Sequence, residues 1–266
     1  MIKNQYLAEL EGINQKIAND PEDPDLLIQK GTLQYQHLDF EGALITFDHV
    51  LMKDPLSRYG LLSRGAVLNE LSRYEEAMLL FHQILGQDPS FYQAWTNTGY
   101  SLEKLERYEE ALDAYEHALE INKHDSKAWA GKGSVLLNME KFKGSLGASK
   151  RAIKEDPASP SGWEVTIKIM NMNGNFKKAR KTVEKALKFC EASPELLWEY
   201  ACSLYHLGEN SQAIRIFNQL IIIDPAIKYY RMLGLVYMHS GQYVEASRVY
   251  DEIIKREPDD FVAWGE

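Results

Sequence analysis

Residues Leu105 to Trp129 read LERYEEALDAYEHALEINKHDSKAW, and 34 positions earlier Leu71 to Trp95 read LSRYEEAMLLFHQILGQDPSFYQAW. A repeat of fixed period constrains the fold before any other feature does. A unit this short cannot enclose a core alone and must stack on its neighbours. The period extends in both directions. Glycines stand at Gly31, Gly65, Gly99 and Gly133, with Gly234 in the same role, and a small residue follows twelve positions later at Ala43, Ala77, Ala111, Ser145, Ala179, Ala213 and Ala246. Two aromatic columns flank it, Phe40, Tyr74, Tyr108, Phe142, Phe176 and Tyr243 before and Phe47, Phe81, Tyr115, Phe217 and Tyr250 after. This gives seven full units, 24–57, 58–91, 92–125, 126–159, 160–193, 194–226 and 227–260, the sixth being one residue short. Residues 1–23 read as a half repeat holding only a second helix, and residues 261–266 as the start of an eighth repeat with Trp264 in its place. Such an array is quasi-one-dimensional, so the expectation is one elongated domain.

Within unit 92–125, Trp95, Thr98, Gly99 and Leu102 keep helical spacing, and so do Tyr108, Ala111, Tyr115, Ala118 and Leu119. The break near Lys104 to Arg107 leaves room for a short turn, so each unit predicts an antiparallel helix pair. Small side chains, Gly99 facing Ala111, would let the two axes approach closely. The pairs Asp54-Pro55, Asp88-Pro89, Asp156-Pro157 and Asp224-Pro225 should end the second helix, because proline pushes the preceding residue out of the α region. No strand-type alternation appears, and the fold class is all-α.

Trp95, Gly99, Tyr108, Ala111, Tyr115 and Ala118, with Pro89 closing the unit before, resemble the tetratricopeptide repeat pattern W-x2-L-G…Y…A-x3-F…A…P. The resemblance covers essentially the whole chain. It implies a right-handed superhelical α-solenoid of stacked antiparallel helix pairs whose first helices line a concave groove. It also implies a non-enzymatic protein-protein interaction scaffold that binds an extended segment of a partner protein there.

Composition narrows the alternatives. No apolar run approaches the roughly 20 residues of a membrane span. The start, MIKNQYLAELEG, lacks the apolar core of a secretory signal, so the expected setting is cytoplasmic. Cys190 and Cys202 fall at unrelated unit positions and read as ordinary thiols. The seven histidines have no carboxylate or cysteine at ligand spacing, so neither a metal nor a cofactor is expected, and no catalytic residues are assigned. GKGS at Gly131 to Ser134 lacks the preceding glycine of a phosphate loop.

The groove face should be unit positions 2, 5, 9 and 12 of each first helix, bordered by 6 and 13. The candidate partner-binding residues are Gln29, Thr32, Ser63, Asn69, Asn97, Tyr100, Lys127, Asn138, Glu164, Lys168, Asn171, Trp198, Lys228 and Arg231. The family's carboxylate clamp for chaperone tails is incomplete. Asn97 and Lys127 are in register, but Leu62 and Ala66 replace its first Lys and Asn, and Gly131 replaces its Arg. The repeated groove asparagine of the family's sugar transferases is also missing.

Charge is uneven. Residues 126–193 carry fourteen Lys and Arg against six Asp and Glu, while the whole chain is at −9. Lys143, Lys150, Lys154, Lys177, Lys181, Lys185 and Lys188 should form a basic band on the convex, second-helix face. It is a candidate electrostatic contact surface with no exposed aromatics interleaved for base stacking. Two other readings stay open. One is a docking arm of a larger enzyme or regulator, since both ends stop inside a unit. The other is a nucleic-acid-binding helical array, against which the acidic total weighs. Two further expectations concern stability and assembly. Residues 141–170 should couple poorly, because Ser149 replaces an aromatic, Gly144 and Gly147 sit inside a helix, and Ile167 replaces a small residue. The repeat ends, with Tyr6, Leu10, Ile13 and Trp264, should self-associate.

Overall fold

A computed structural model of the chain describes residues 2–21 and 23–257. Residues 258–266, which include Pro258, Trp264 and the expected start of an eighth repeat, lie outside the described residues. The described residues form fifteen α-helices. They are α1 (Ile2–Asn19), α2 (Pro24–Gln36), α3 (Phe40–Lys53), α4 (Arg58–Glu70), α5 (Tyr74–Gln87), α6 (Tyr92–Lys104), α7 (Tyr108–Ile121), α8 (Ser126–Asn138), α9 (Phe142–Glu155), α10 (Pro160–Met172), α11 (Phe176–Ala186), α12 (Pro194–His206), α13 (Asn210–Ile223), α14 (Ile227–His239) and α15 (Tyr243–Arg256). The chain divides into two compact units, Met1–Met139 with α1 to α8 and Glu140–Glu266 with α9 to α15.

Inside each unit the helices stack consecutively as antiparallel pairs, α2 on α3, α4 on α5 and α6 on α7 in the first, α10 on α11, α12 on α13 and α14 on α15 in the second. Each pair also packs on the next. First helices touch one another as well, α2 with α4, α4 with α6 and α6 with α8, so one face of the first unit is built from first helices alone.

Close approach within a pair is set by glycine against an aromatic ring. A Cβ on Gly31, Gly65, Gly99 or Gly234 would stand 2.6, 2.4, 2.8 or 2.8 Å from the ring of Phe47, Phe81, Tyr115 or Tyr250. Gly99 therefore faces Tyr115, not the expected Ala111. In unit 160–193 the sizes are exchanged, with Ile167 on α10 and Val183 on α11, both fully buried in one core cluster. Ile167 does not disturb the pair, because the facing side chain shrinks by a compensating volume. Where Ser149 replaces the aromatic of α9, its hydroxyl is buried and accepts a 2.9 Å hydrogen bond from Thr166.

The turns inside the pairs share one conformation. Leu38, Ser72, Glu106, Glu140, Gly174, Gly208 and Gly241 all have φ between 58° and 75°, and each is residue 15 of its unit. The left-handed residue reverses the chain in three residues. At the other end, Asp54, Asp88, Asn122 and Asp156 leave the helix in extended geometry. Each side-chain oxygen accepts the N–H two residues on, at 3.0 to 3.1 Å. Trp95, Trp129 and Trp163 fasten these connections by donating from Nε1 to the carbonyls of Pro89, Lys123 and Pro157 at 2.9, 2.9 and 3.0 Å. Helix α11 stops at Ala186, so Lys188 lies in the following turn rather than on the helix.

Candidate functional site

In the first compact unit, the face built from α2, α4 and α6 encloses a groove of about 520 Å³. Helix α2 contributes Thr32 and Tyr35, α4 contributes Leu62, Ser63 and Ala66, and α6 contributes Tyr92, Gln93, Thr96 and Asn97. The α7–α8 connection and the start of α8 close it with Asn122, His124, Asp125, Ser126 and Lys127, over the ring of Phe47. Four expected residues, Thr32, Ser63, Asn97 and Lys127, thus meet in one cavity. Two of the lining side chains, Asn97 and Asp125, are held by hydrogen bonds within the chain. Asn97 donates from Nδ2 to the carbonyl of Gln93 at 2.8 Å. Asp125 takes a 2.6 Å hydrogen bond from the Thr96 hydroxyl while capping α8 through the N–H groups of Lys127 and Ala128. Periodicity makes the helical lining legible, but Asn122, His124 and Asp125 enter from a connection, where no period tells which way a side chain points.

The remaining expected residues of this unit lie elsewhere. Gln29 and Asn138 are exposed at opposite ends of the array of first helices. Tyr100 is half-buried beneath the Lys104 ammonium, 5.2 Å from its ring centre, and burial, then the Glu70 carboxylate, pushes its hydroxyl well above the ordinary tyrosine range. Asn69 is only 3% exposed and accepts a 2.7 Å hydrogen bond from Ser101 on the next first helix. It joins repeats rather than facing a ligand.

In the second compact unit, Asn171 does the same work. It accepts from Ser203 at 2.7 Å and donates to the Glu199 carboxylate at 2.7 Å. Glu164 accepts from the Ser193 hydroxyl, and burial raises the carboxyls of both Glu164 and Glu199 above their usual range. Trp198 packs edge-on against Phe217 at 5.8 Å and is tilted against Tyr229 at 5.6 Å, so it serves the core as well as the face. Lys228 lies over Tyr229 at 4.8 Å, Arg231 reaches Glu257 at 3.4 Å, and Lys168 is exposed.

The basic band is open to solvent. Lys143, Lys150 and Lys154 on α9, Lys177, Lys181 and Lys185 on α11, and Lys188 just beyond are all exposed. Lys185 stands 5.5 Å above the ring of Trp163. The expectation that no exposed aromatic lies among them does not hold. Phe142 and Phe189 are 40% and 51% exposed, although Phe189 stacks on Trp163 at 6.2 Å. Among the described residues, no three His, Cys, Asp or Glu side chains gather as a metal site, and no helix is long and apolar enough to cross a membrane.

No curated protein matches the sequence. Family profiles described as "Tetratricopeptide repeat" match residues 92–125, 195–226 and 227–260. Solved structures give the same fold. A chain of the APC/C hetero-tetramer Cut9–Hcn1 aligns at a TM-score of 0.80 and 15% identity over 98% of this chain and 51% of its own length. This protein thus spans about half of that chain. A tetratricopeptide repeat protein from Parabacteroides merdae aligns at 0.69 and 20% identity, covering 88% of this chain and 93% of its own. YrrB, described as a tetratricopeptide repeat protein with an unusual peptide-binding site, aligns at 0.53 and 19% identity, covering 70% and 96%. With the glycine–aromatic contacts recurring from pair to pair, the family pattern matched at three repeats and this shared fold, the chain belongs to the tetratricopeptide repeat proteins.

Proposed function

We propose that this chain is a non-catalytic scaffold that holds an extended segment of a partner protein against its first helices, in the groove walled by Thr32, Ser63, Asn97 and Lys127. The observation that carries the reading is that groove. About 520 Å³ of open space is lined by hydroxyls, amides, a lysine and the rings of Tyr35 and Tyr92, on helices already fixed by packing. Rigid walls of this kind lower the ordering cost of binding on the receptor side. The lining mixes hydrogen-bonding groups for a peptide backbone with apolar patches for alternate side chains, which suits a segment better than a small molecule. Peptide binding by YrrB and hetero-assembly of Cut9–Hcn1 support the reading by analogy of fold.

The test places a photo-crosslinking amino acid at Ser63 or Asn97 and, as a control, at exposed Gln83 on α5. Groove positions should capture one discrete segment of a protein, and Ser63→Trp, which fills the groove, should weaken that capture at least about tenfold. Equal crosslinking from the groove and from Gln83, or capture unaffected by Ser63→Trp, would overturn it.

A further inference from the structure

Second helices of the two compact units carry stripes of opposite sign at the same repeat positions. On α7, Glu109, Asp113 and Glu120 occupy unit positions 18, 22 and 29. On α11 and the turn after it, Lys177, Lys181 and Lys188 occupy the same three positions, and on α9 Lys143 and Lys154 occupy two of them. All eight side chains are exposed. None has an ion-pair partner among the described residues, whereas Glu110, Glu116, Arg151 and Arg180 beside them are paired with Arg107, Lys132, Glu155 and Glu209. On α7 the charges left over are the three that line up, and on α9 and α11 Lys150, Lys178 and Lys185 are likewise without an ion pair among the described residues and add to the basic side. Residues four apart on a helix are separated by about 6 Å along its axis, so the Glu109–Asp113 and Lys177–Lys181 steps match. A surface that merely needed solubility would gain nothing from segregating its signs, and like charges side by side repel.

We propose that two copies of this chain associate through these stripes, the acidic stripe on α7 of one copy laid against the basic stripe on α11 of another. The occupant is a second copy because this same chain carries a stripe of the opposite sign and the same spacing. The contact is separate from the groove and leaves the first helices free. Exposed charge pairs are individually weak, so the association is modest and strongly dependent on salt.

Sedimentation velocity of the full chain over a range of protein concentrations tests this in about 0.01 M and about 1 M salt, where the screening length falls from about 30 Å to about 3 Å. The expected result is association at low salt that weakens at least about tenfold at high salt. Lys177→Glu with Lys181→Glu reverses two of the three charges in the α11 stripe, and Glu109→Lys with Asp113→Lys reverses two of the three in the α7 stripe. Each variant alone should remain monomeric at low salt, and an equal mixture of the two should associate again. The residues are exposed, so both variants should fold, which circular dichroism verifies. A wild type that stays monomeric at low salt overturns the proposal, and so does a mixture no more associated than its components. Binding of a short DNA duplex to the lysine stripe without self-association would assign the surface to nucleic acid instead.

Discussion

Glycine has two different roles in these helices, and single substitutions separate them. At Gly131 an added Cβ would sit 2.1 Å from Cζ of Tyr115, a ring that is 2% exposed and whose hydroxyl donates to Glu103 at 3.1 Å. Neither partner can give way, and Gly131→Ala should cost about 2 kcal/mol by overpacking. Gly147 on α9 has nothing within 4 Å of such a Cβ, so Gly147→Ala should gain about 1 kcal/mol from helix propensity alone. Urea titrations of both variants decide it, and effects of the same sign would remove the distinction. Cys202 offers a chemical readout of its surroundings. Burial, and then the Glu199 carboxylate, pushes its thiol up to about 12, which keeps it protonated at pH 8. Because the thiolate is the nucleophile, alkylation of Cys202 at pH 8 should be at least about a hundredfold slower in the folded protein than in urea. Mass spectrometry following each cysteine separately would show this, and equal rates in the two states would contradict the burial.

At the scale of the element, the turn inside each pair has a fixed backbone but a variable residue. Left-handed backbone costs a non-glycine residue about 1–2 kcal/mol, yet Leu38, Ser72, Glu106 and Glu140 adopt it. Leu38 is 74% exposed, so Leu38→Gly loses little packing and should raise stability by about 0.5–1 kcal/mol. Gly208→Ala, where nothing lies within 4 Å, should lose about 1 kcal/mol through the backbone alone. Denaturation midpoints that move the opposite way would show that the turn does not bear this strain. Glycine marks that conformation at Gly174, Gly208 and Gly241, but the four other residues give no such sign, and the turn was not read from the sequence. Helix pairs were readable because burial imposes a period that survives substitution. The partner of Gly99 was not, because a periodic pattern gives the face a side chain occupies but not how far a large ring reaches across it. Thr32, Ser63 and Asn97 were readable in the same way, while Asn69 and Asn171 looked like groove residues and prove to be bonded to the next repeat. Lys188 was assigned to a helix that ends two residues before it, at Ala186.

Over the whole molecule, cohesion is uneven. Helix α5 buries Met78, Phe81, Ile84 and Leu85 along with Ala77, whereas the buried side chains of α9 are Ser145, Ala148, Ser149 and Ala152. Apolar stabilisation scales with area, so α9 is held far more weakly, and the first residue of the second compact unit, Glu140, lies just before it. Hydrogen exchange should open α9 well before α5 and α7, with amides of residues 145–152 exchanging at least about tenfold faster than those of residues 77–85. Uniform protection across these helices would count against it.

The hydrogen bonds from Asn69 to Ser101 and from Asn171 to Ser203 have a consequence for how such a chain can be rearranged. Asparagine occurs at unit position 12 only in units 58–91 and 160–193, and serine at position 10 only in the units that follow them. The two residues act as a matched address between neighbours, so the modules are not interchangeable. Excising 92–125 would bring Asn69 opposite Val135, and excising 194–226 would bring Asn171 opposite Val236, each leaving an amide oxygen facing a methyl group. Duplicating or swapping modules is tolerated only where an address is kept whole, which makes the order of repeats itself an inherited property of the sequence.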